Sequence, residues 1–405
     1  MNRDRTHFLL LNIGHFMDHL FTLVFATVAA LALTREWGVP YSDLLTYATP
    51  GFFAFGLFSL PAGWLADKWS REGMMCVFFI GIGCASIATG FAASPLQVGI
   101  GLFVVGMFAA IYHPVGLAIV TAKWRNTGMR IAVNGVFGNL GVASAALLTG
   151  FFIDHGGWRS AFIVPGVVSV GLGLLYIALR WPELSAPKTA AVVAAAAAPP
   201  SAAYRAAMLR VSVIVFLTTA ISGIVFQSTT FALPKIFDER LQGIAGELAA
   251  WSGRGNVATM VGGFAFIVFT VASLAQLVVG KMLDRHGPRP VFMTVAAIQI
   301  VFFAAMPGLH DAVALAVALG FMLGAFGQIP INDYMIGKMA SGAFRARVYG
   351  VRYVVSFSTL AVALPLIGFV YGHFGFDTLF WILAGAGALT LAIVSQLPKV
   401  LPTPA

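Results

Sequence analysis

Residues 8–33 read FLLLNIGHFMDHLFTLVFATVAALAL. Wound as a helix at 1.5 Å per residue, this run reaches roughly 39 Å, enough to cross a hydrocarbon core of about 30 Å. Its ionisable residues are His15, Asp18 and His19. Ala30-Leu31-Ala32 has the small-x-small form of a signal-peptide cleavage site, but a signal core is short and uncharged, and this run is neither. It is therefore read as the first of a series of membrane spans.

The rest of the chain agrees. Mean hydropathy is +0.90, with 59% hydrophobic and 10% charged residues over 405 positions, against about 25% charged in a soluble domain. Spans are predicted at 8–33, 45–66, 74–93, 97–121, 131–153, 160–180, 211–233, 258–280, 290–307, 312–335, 348–371 and 376–397, and residues 235–257 have room for a short interfacial helix. The expected fold class is an all-α integral membrane protein with twelve transmembrane helices.

The net charge of +9 raises nucleic acid as a partner, and the placement of the cations excludes it. With the N-terminus in the cytoplasm, only Arg35, Arg159, Lys235, Arg240 and Arg254 of the 24 Lys and Arg fall outside. That is the positive-inside pattern, and it puts both termini in the cytoplasm. Cys76 and Cys84 stand about 12 Å apart along one predicted helix and cannot pair.

An internal duplication follows. GWLADKWSREGMM (63–75) has a partner in GKMLDRHGPRPVF (280–292), and His113-Pro114, Lys123 and Gly135 match Ile329-Pro330, Lys338 and Gly350 at nearly the same offset. The chain divides into a bundle at 1–180, an Ala/Pro-rich cytoplasmic linker at 181–207, and a second bundle at 208–405.

Two parallel six-helix repeats resemble the major facilitator superfamily. GWLADKWSREGMM is similar to its loop signature between the second and third helices, with Ser70 where glycine is usual and Glu72 where a basic residue is usual. GVFGNLGVASAALLTG (135–150) carries small residues at close spacing in the fifth helix, which permits tight helix packing, and GGWRSAF (156–162) is similar to the superfamily's ending of that helix. The resemblance implies two pseudo-symmetric bundles and a cytoplasmic gate formed by Gly63, Asp67, Arg71, Gly280, Asp284 and Arg285. Without the family, the loop still reads as a tight turn in which Asp67 and Arg71 can pair.

His15, Asp18 and His19 are spaced i, i+3, i+4 and share one helical face. Ionisable groups at mid-membrane usually face an interior path, and a purely structural polar cluster is the alternative. His113 reaches a similar depth, although His-Pro can also cap the carbonyl that proline leaves unpaired. The resemblance places the first, fourth, seventh and tenth spans around a central cavity. Candidate substrate residues are Tyr112, Asn134, Asn139, Gln227, Gln328, Asn332 and Arg352; Arg352 can equally snorkel to the cytoplasm, and Asp333 reads as interfacial.

GHFMDHLF with YHPVG resembles the fosmidomycin-resistance type of carrier within the superfamily. The implied function is a secondary active transporter of a small molecule, proton-coupled, working by alternating access, with efflux ahead of uptake. Asp18, His15, His19 and His113 would carry the proton coupling, since a carboxylate beside imidazoles changes its proton affinity as it is dried and wetted.

One alternative is a copper carrier using His15, Met17, His19, Met107 and His113. The other is a facilitator-fold sensor or scaffold. No G-x-S-x-G, H-E-x-x-H or P-loop pattern points to an enzyme. The expected partners are a small-molecule substrate, protons and lipid, with no cofactor, no resident metal and no nucleic acid. The expected setting is a monomer in a cell membrane, bacterial inner membrane by preference.

Overall fold

The computed structural model describes residues 3–124, 127–185, 202–251, 256–339 and 342–398, without the side chains of 333 and 342–354 among others. Among the described residues, ten stretches are long and apolar enough to cross a membrane. One of them, Met129–Trp181, runs across two helices, Thr127–Gly156 and Trp158–Ser185, and the helix Gly342–Val394 is divided at Gly375. Counting both divisions gives the twelve spans.

The first span is Arg3–Val28, continued by a π-helical turn Ala29–Leu33 into Thr34–Glu36. The second and third are Tyr41–Lys68 and Arg71–Gly90. The fourth is broken into Pro95–Ala109 and Tyr112–Lys123, and the tenth into Asp311–Gly327 and Ile329–Met339. The seventh is Ala202–Arg240, followed by the short helix Gln242–Trp251 in the region where one had room to form. The eighth and ninth are Val257–His286 and Pro288–Ala305. Several helices outrun the apolar stretches that predicted them, because polar ends continue the helix into the interface. Residues 186–201 of the expected linker lie outside the described part.

The duplication is visible in how the helices stop. Gly157 and Gly375, at matching places, take φ of +73° and +76° and turn the chain between the fifth and sixth and between the eleventh and twelfth spans, a conformation glycine adopts without penalty. At the other matched pair the solutions differ. Gly287 turns at φ +77°, whereas Ser70 stays extended and its hydroxyl accepts a hydrogen bond from the Gly73 amide at 3.0 Å. Ser70 departs from the loop signature because it caps the third helix.

The broken spans also match. Pro114 and Pro330 each sit just past the break, where a missing N–H interrupts the helical ladder.

The halves are joined at the end remote from the N-terminus. Arg35 Nη2 donates to Asp238 Oδ1 at 3.0 Å, and Asp154 Oδ2 accepts from the Thr259 amide at 2.7 Å and its hydroxyl at 2.6 Å. Tyr41 meets Tyr371, whose hydroxyl donates to Glu239. Backbones approach closely here: a Cβ on Gly150 would stand 2.2 Å from the Ala258 carbonyl oxygen, and one on Gly262 2.3 Å from that of Ala146. Small residues permit this approach where two helices must pack in lipid.

Gly262→Ala is expected to wedge the fifth and eighth spans apart and destabilise the protein by about 1–3 kcal/mol. Thermal denaturation of the purified protein reads this, with Gly263→Ala, which meets nothing within 4 Å, as the neutral control.

Candidate functional site

Asp18 is completely buried in the first span, and His15 nearly so. His15, Asp18 and His19 share the face that the spacing predicts, and the break in the fourth span delivers His113 to that face. His113 Nε2 lies 3.3 Å from Asp18 Oδ2. Neither Asp18 oxygen accepts an aligned hydrogen bond. The His15 and His19 ring centroids are 5.0 Å apart, and His113 lies 5.2 Å from His15 and 5.4 Å from His19, edge-on to both. The structure thus brings together the four residues expected to act with protons.

Asn134 of the fifth span holds the cluster in place. Its carbonyl oxygen accepts from His15 Nδ1 at 2.8 Å, and a carbonyl cannot donate, so that nitrogen carries the proton. His15 Nε2 is then left facing the cluster, buried and without a partner. The Asn134 amide nitrogen donates to Asn12 Oδ1 at 3.0 Å and to the Tyr112 hydroxyl at 2.8 Å, and that hydroxyl donates to the Leu11 carbonyl at 2.7 Å. Tyr112 stacks on His15 with centroids 4.9 Å apart.

Of the expected cavity residues, Tyr112 and Asn134 are therefore fully buried and committed to this frame, while Asn139 and Gln227 are half-buried. Gln328, at the break of the tenth span, donates to the Ser222 carbonyl at 3.0 Å and accepts from Gln299 at 2.9 Å. Asn332 accepts from Thr218 at 3.4 Å. The Arg352 side chain lies outside the described part.

Beyond the cluster, towards the joined end, Phe21, Phe25, Phe52, Phe55 and Phe231 line a small apolar void. Phe55 stands 6.1 Å from His113, and Phe52 packs edge-on against Phe231 of the other half at 5.6 Å. These rings separate the polar cluster from the joined end.

The expected gate residues divide. Arg71 pairs with Asp67 at 2.8 Å, with both side chains largely exposed, a geometry worth about 0–1 kcal/mol. Gly63 meets only the Pro114 side chain, and Gly280 meets nothing within 4 Å. Asp284 and Arg285 are exposed and make no ion pair among the described residues. Next to this loop, sequence reading missed a second polar centre. Glu72 Oε1 accepts from Arg180 at 3.0 Å, and Glu72 Oε2 stands 3.2 Å from His7 Nε2 and accepts from Tyr176. Lys123 stands 3.1 Å from His7 Nδ1 and 3.1 Å from Asp4. Spans one, three, four and six are tied together there.

The duplicated bundle, its matching breaks and its fold-wide match decide the family: the model of the Major Facilitator Superfamily matches residues 11–271 and 254–404. The chain belongs to that superfamily. The facilitator fold is shared with a crystallised D-xylose–proton symporter, at a TM-score of 0.72 and 13% identity over 98% of this chain and 99% of that one. The chain is 31% identical to a probable sulfoacetate transporter of Cupriavidus necator, over 37% of this chain and 35% of that protein, so it spans about a third of that relative. It is 23% identical to the multidrug resistance protein MdtG of Citrobacter koseri over 82% of this chain and 79% of that one. The apolar helices and the family match make this facilitator a multi-pass membrane protein.

Nitrogens of His15, His19 and His113 all lie within 4.8 Å of one another, as the copper alternative requires. The relatives give that alternative no support.

Gly138 makes room for the site, since a Cβ there would stand 2.7 Å from His15 Nε2. Gly138→Ala is expected to push the imidazole off its Asn134 bond and to destabilise the protein by about 1–3 kcal/mol. Gly135→Ala, one turn away with nothing within 4 Å, should leave stability unchanged or raised by about 0.5–1 kcal/mol. Thermal denaturation of the two variants in parallel checks this.

Proposed function

We propose that this facilitator exports a small organic solute in exchange for protons by alternating access, with Asp18 as the proton-binding group. The observation that carries the reading is a carboxylate buried in a lipid-crossing helix, unanswered by an aligned hydrogen bond and 3.3 Å from an imidazole. Such a group is expensive unless it has a task. The ionisable groups around it are His15 and His19 on its own helix and Tyr112 and His113 on the fourth span. One proton, placed either on the carboxylate or on His113, leaves the pair without a bare ion, and its loss leaves a bare buried carboxylate that takes up a proton again when water reaches it.

Direction and geometry support the same reading. With the termini in the cytoplasm, the joined end faces outward, so this is a state closed to the outside, with the phenylalanines between Asp18 and that closure. Opening the outer end requires separating Arg35 from Asp238, Asp154 from Thr259, and Phe52 from Phe231. The multidrug resistance relative, matched over most of both chains, supports export, and the sulfoacetate relative supports an organic solute.

A panel of organic acids, sugars and antibacterial compounds tested by thermal shift reads the cargo. A ligand of the folded state at a hundredfold excess over its Kd stabilises by about 2.7 kcal/mol. That stabilisation is expected to vary with pH in the wild type and to be independent of pH in Asp18→Asn. In proteoliposomes, Asp18→Asn is expected to abolish transport driven by a proton gradient while exchange of the same solute continues. Proton-driven transport surviving in Asp18→Asn would remove Asp18 from this role.

A further inference from the structure

The eighth, ninth and tenth spans enclose an apolar groove with a volume of about 340 Å³. Leu274, Val278 and Met282 form one wall, Val291 and Ile298 the other, and Gly324 contributes to the lining from the tenth span. Leu274 is 56% exposed and Val278 60% exposed, so the groove opens away from the protein, towards lipid. Along the eighth helix it extends from Val271 to Met282, roughly 16 Å at 1.5 Å per residue. That is about half the hydrocarbon core, the depth of one leaflet.

The end of the groove is cationic. The stripe Leu274, Val278, Met282 continues at helical spacing to Arg285 and His286, Lys281 lies one turn before Arg285, and Arg289 opens the ninth helix two residues before Val291. Lys281, Arg285 and Arg289 make no hydrogen bond or ion pair among the described residues. Asp284 beside them is exposed and also makes no ion pair among the described residues, leaving a net positive mouth. In the first copy of this loop Arg71 is neutralised by Asp67, and only Lys68, at the place of Arg285, is without an ion pair among the described residues. The second copy carries three such cations, and they stand at the mouth of a groove one acyl chain deep.

We infer that this groove binds an anionic phospholipid of the leaflet on the loop side, with an acyl chain against the eighth and ninth helices and its phosphate at Lys281, Arg285 and Arg289. Cations alone are accounted for by membrane topology, and an apolar wall alone by contact with bulk lipid. Their alignment on one helical stripe, with a depth that matches one leaflet, selects a lipid with both a chain and a negative headgroup. The inference does not depend on the cargo or on proton coupling.

The test uses the full-length purified protein, delipidated in a neutral detergent and given phosphatidylglycerol or phosphatidylcholine with the same chains. Bound lipid is counted by native mass spectrometry, and stability is followed by thermal shift. Phosphatidylglycerol is expected to be retained and to stabilise in preference to phosphatidylcholine, with the preference shrinking as salt is raised.

Each surface cation near an anionic headgroup is worth roughly fivefold in affinity. The triple variant Lys281→Gln, Arg285→Gln, Arg289→Gln should therefore reduce the preference on the order of a hundredfold. These side chains lie at the surface or close to it, so the variant should fold. Ala275→Phe, which fills the groove, should lower retention of phosphatidylglycerol with the cations intact. Inorganic phosphate should give no shift. Equal retention of the two lipids by the wild type, or an unchanged preference in the triple variant, would overturn the inference.

Discussion

Asp18 sits where hydrocarbon leaves a carboxylate nothing to bind, and the N-terminal half is organised around that constraint. A charge at such a depth costs several kcal/mol unless the protein answers it. The answer comes from a helix that is itself interrupted. Pro114 breaks the fourth span, and the break sets His113 beside Asp18 with Tyr112 next to it. Tyr112 is tied to the first span through the Leu11 carbonyl, and Asn134 joins the first, fourth and fifth spans through three hydrogen bonds. The frame around the acid is therefore bonded to itself, as irregular backbone at membrane depth requires, while the carboxylate oxygens and His15 Nε2 are left open inside it.

The C-terminal half repeats the architecture and changes the chemistry. Its broken span carries Gln328 at the position that Tyr112 holds in the first half, where Gln328 bonds Gln299 and the Ser222 carbonyl, and Asn332 accepts from Thr218 nearby. Among the described residues at this level, one half thus offers ionisable groups and the other neutral amides. The two meet through small residues and aromatic rings, so the interface holds together without the Asp18 cluster taking part in it.

Much of this was legible in the sequence, for a definite reason. Helical periodicity alone places His15, Asp18 and His19 on one face, and counting residues from the membrane edge brings His113 to their level. What escaped depends on how separate helices are rotated against each other, which no local pattern encodes. Asn134 was read as a cavity residue, and its place as the clamp on His15 needed the orientation of the fifth span. Gly138 was read as generic small packing, although its missing side chain is the space His15 fills. Arg35 and Asp238 stand 203 residues apart, and as sequence they were only charges outside the membrane. Glu72 and Ser70 were noticed as departures from a loop signature. Their reasons, a buried partner in Arg180 and a cap on the third helix, became visible only with the neighbours in place.

Asn134, Tyr112, His113 and Asp18 all belong to spans of the same half. A body that rocks as a unit keeps these distances throughout its cycle, so the bonds around the acid need not be remade at any stage. In the alternating-access cycle proposed above, what changes is which reservoir of water can reach it. On that proposal the carboxylate is less a moving part than a fixed electrode, exposed first to one compartment and then to the other by the displacement of the C-terminal half.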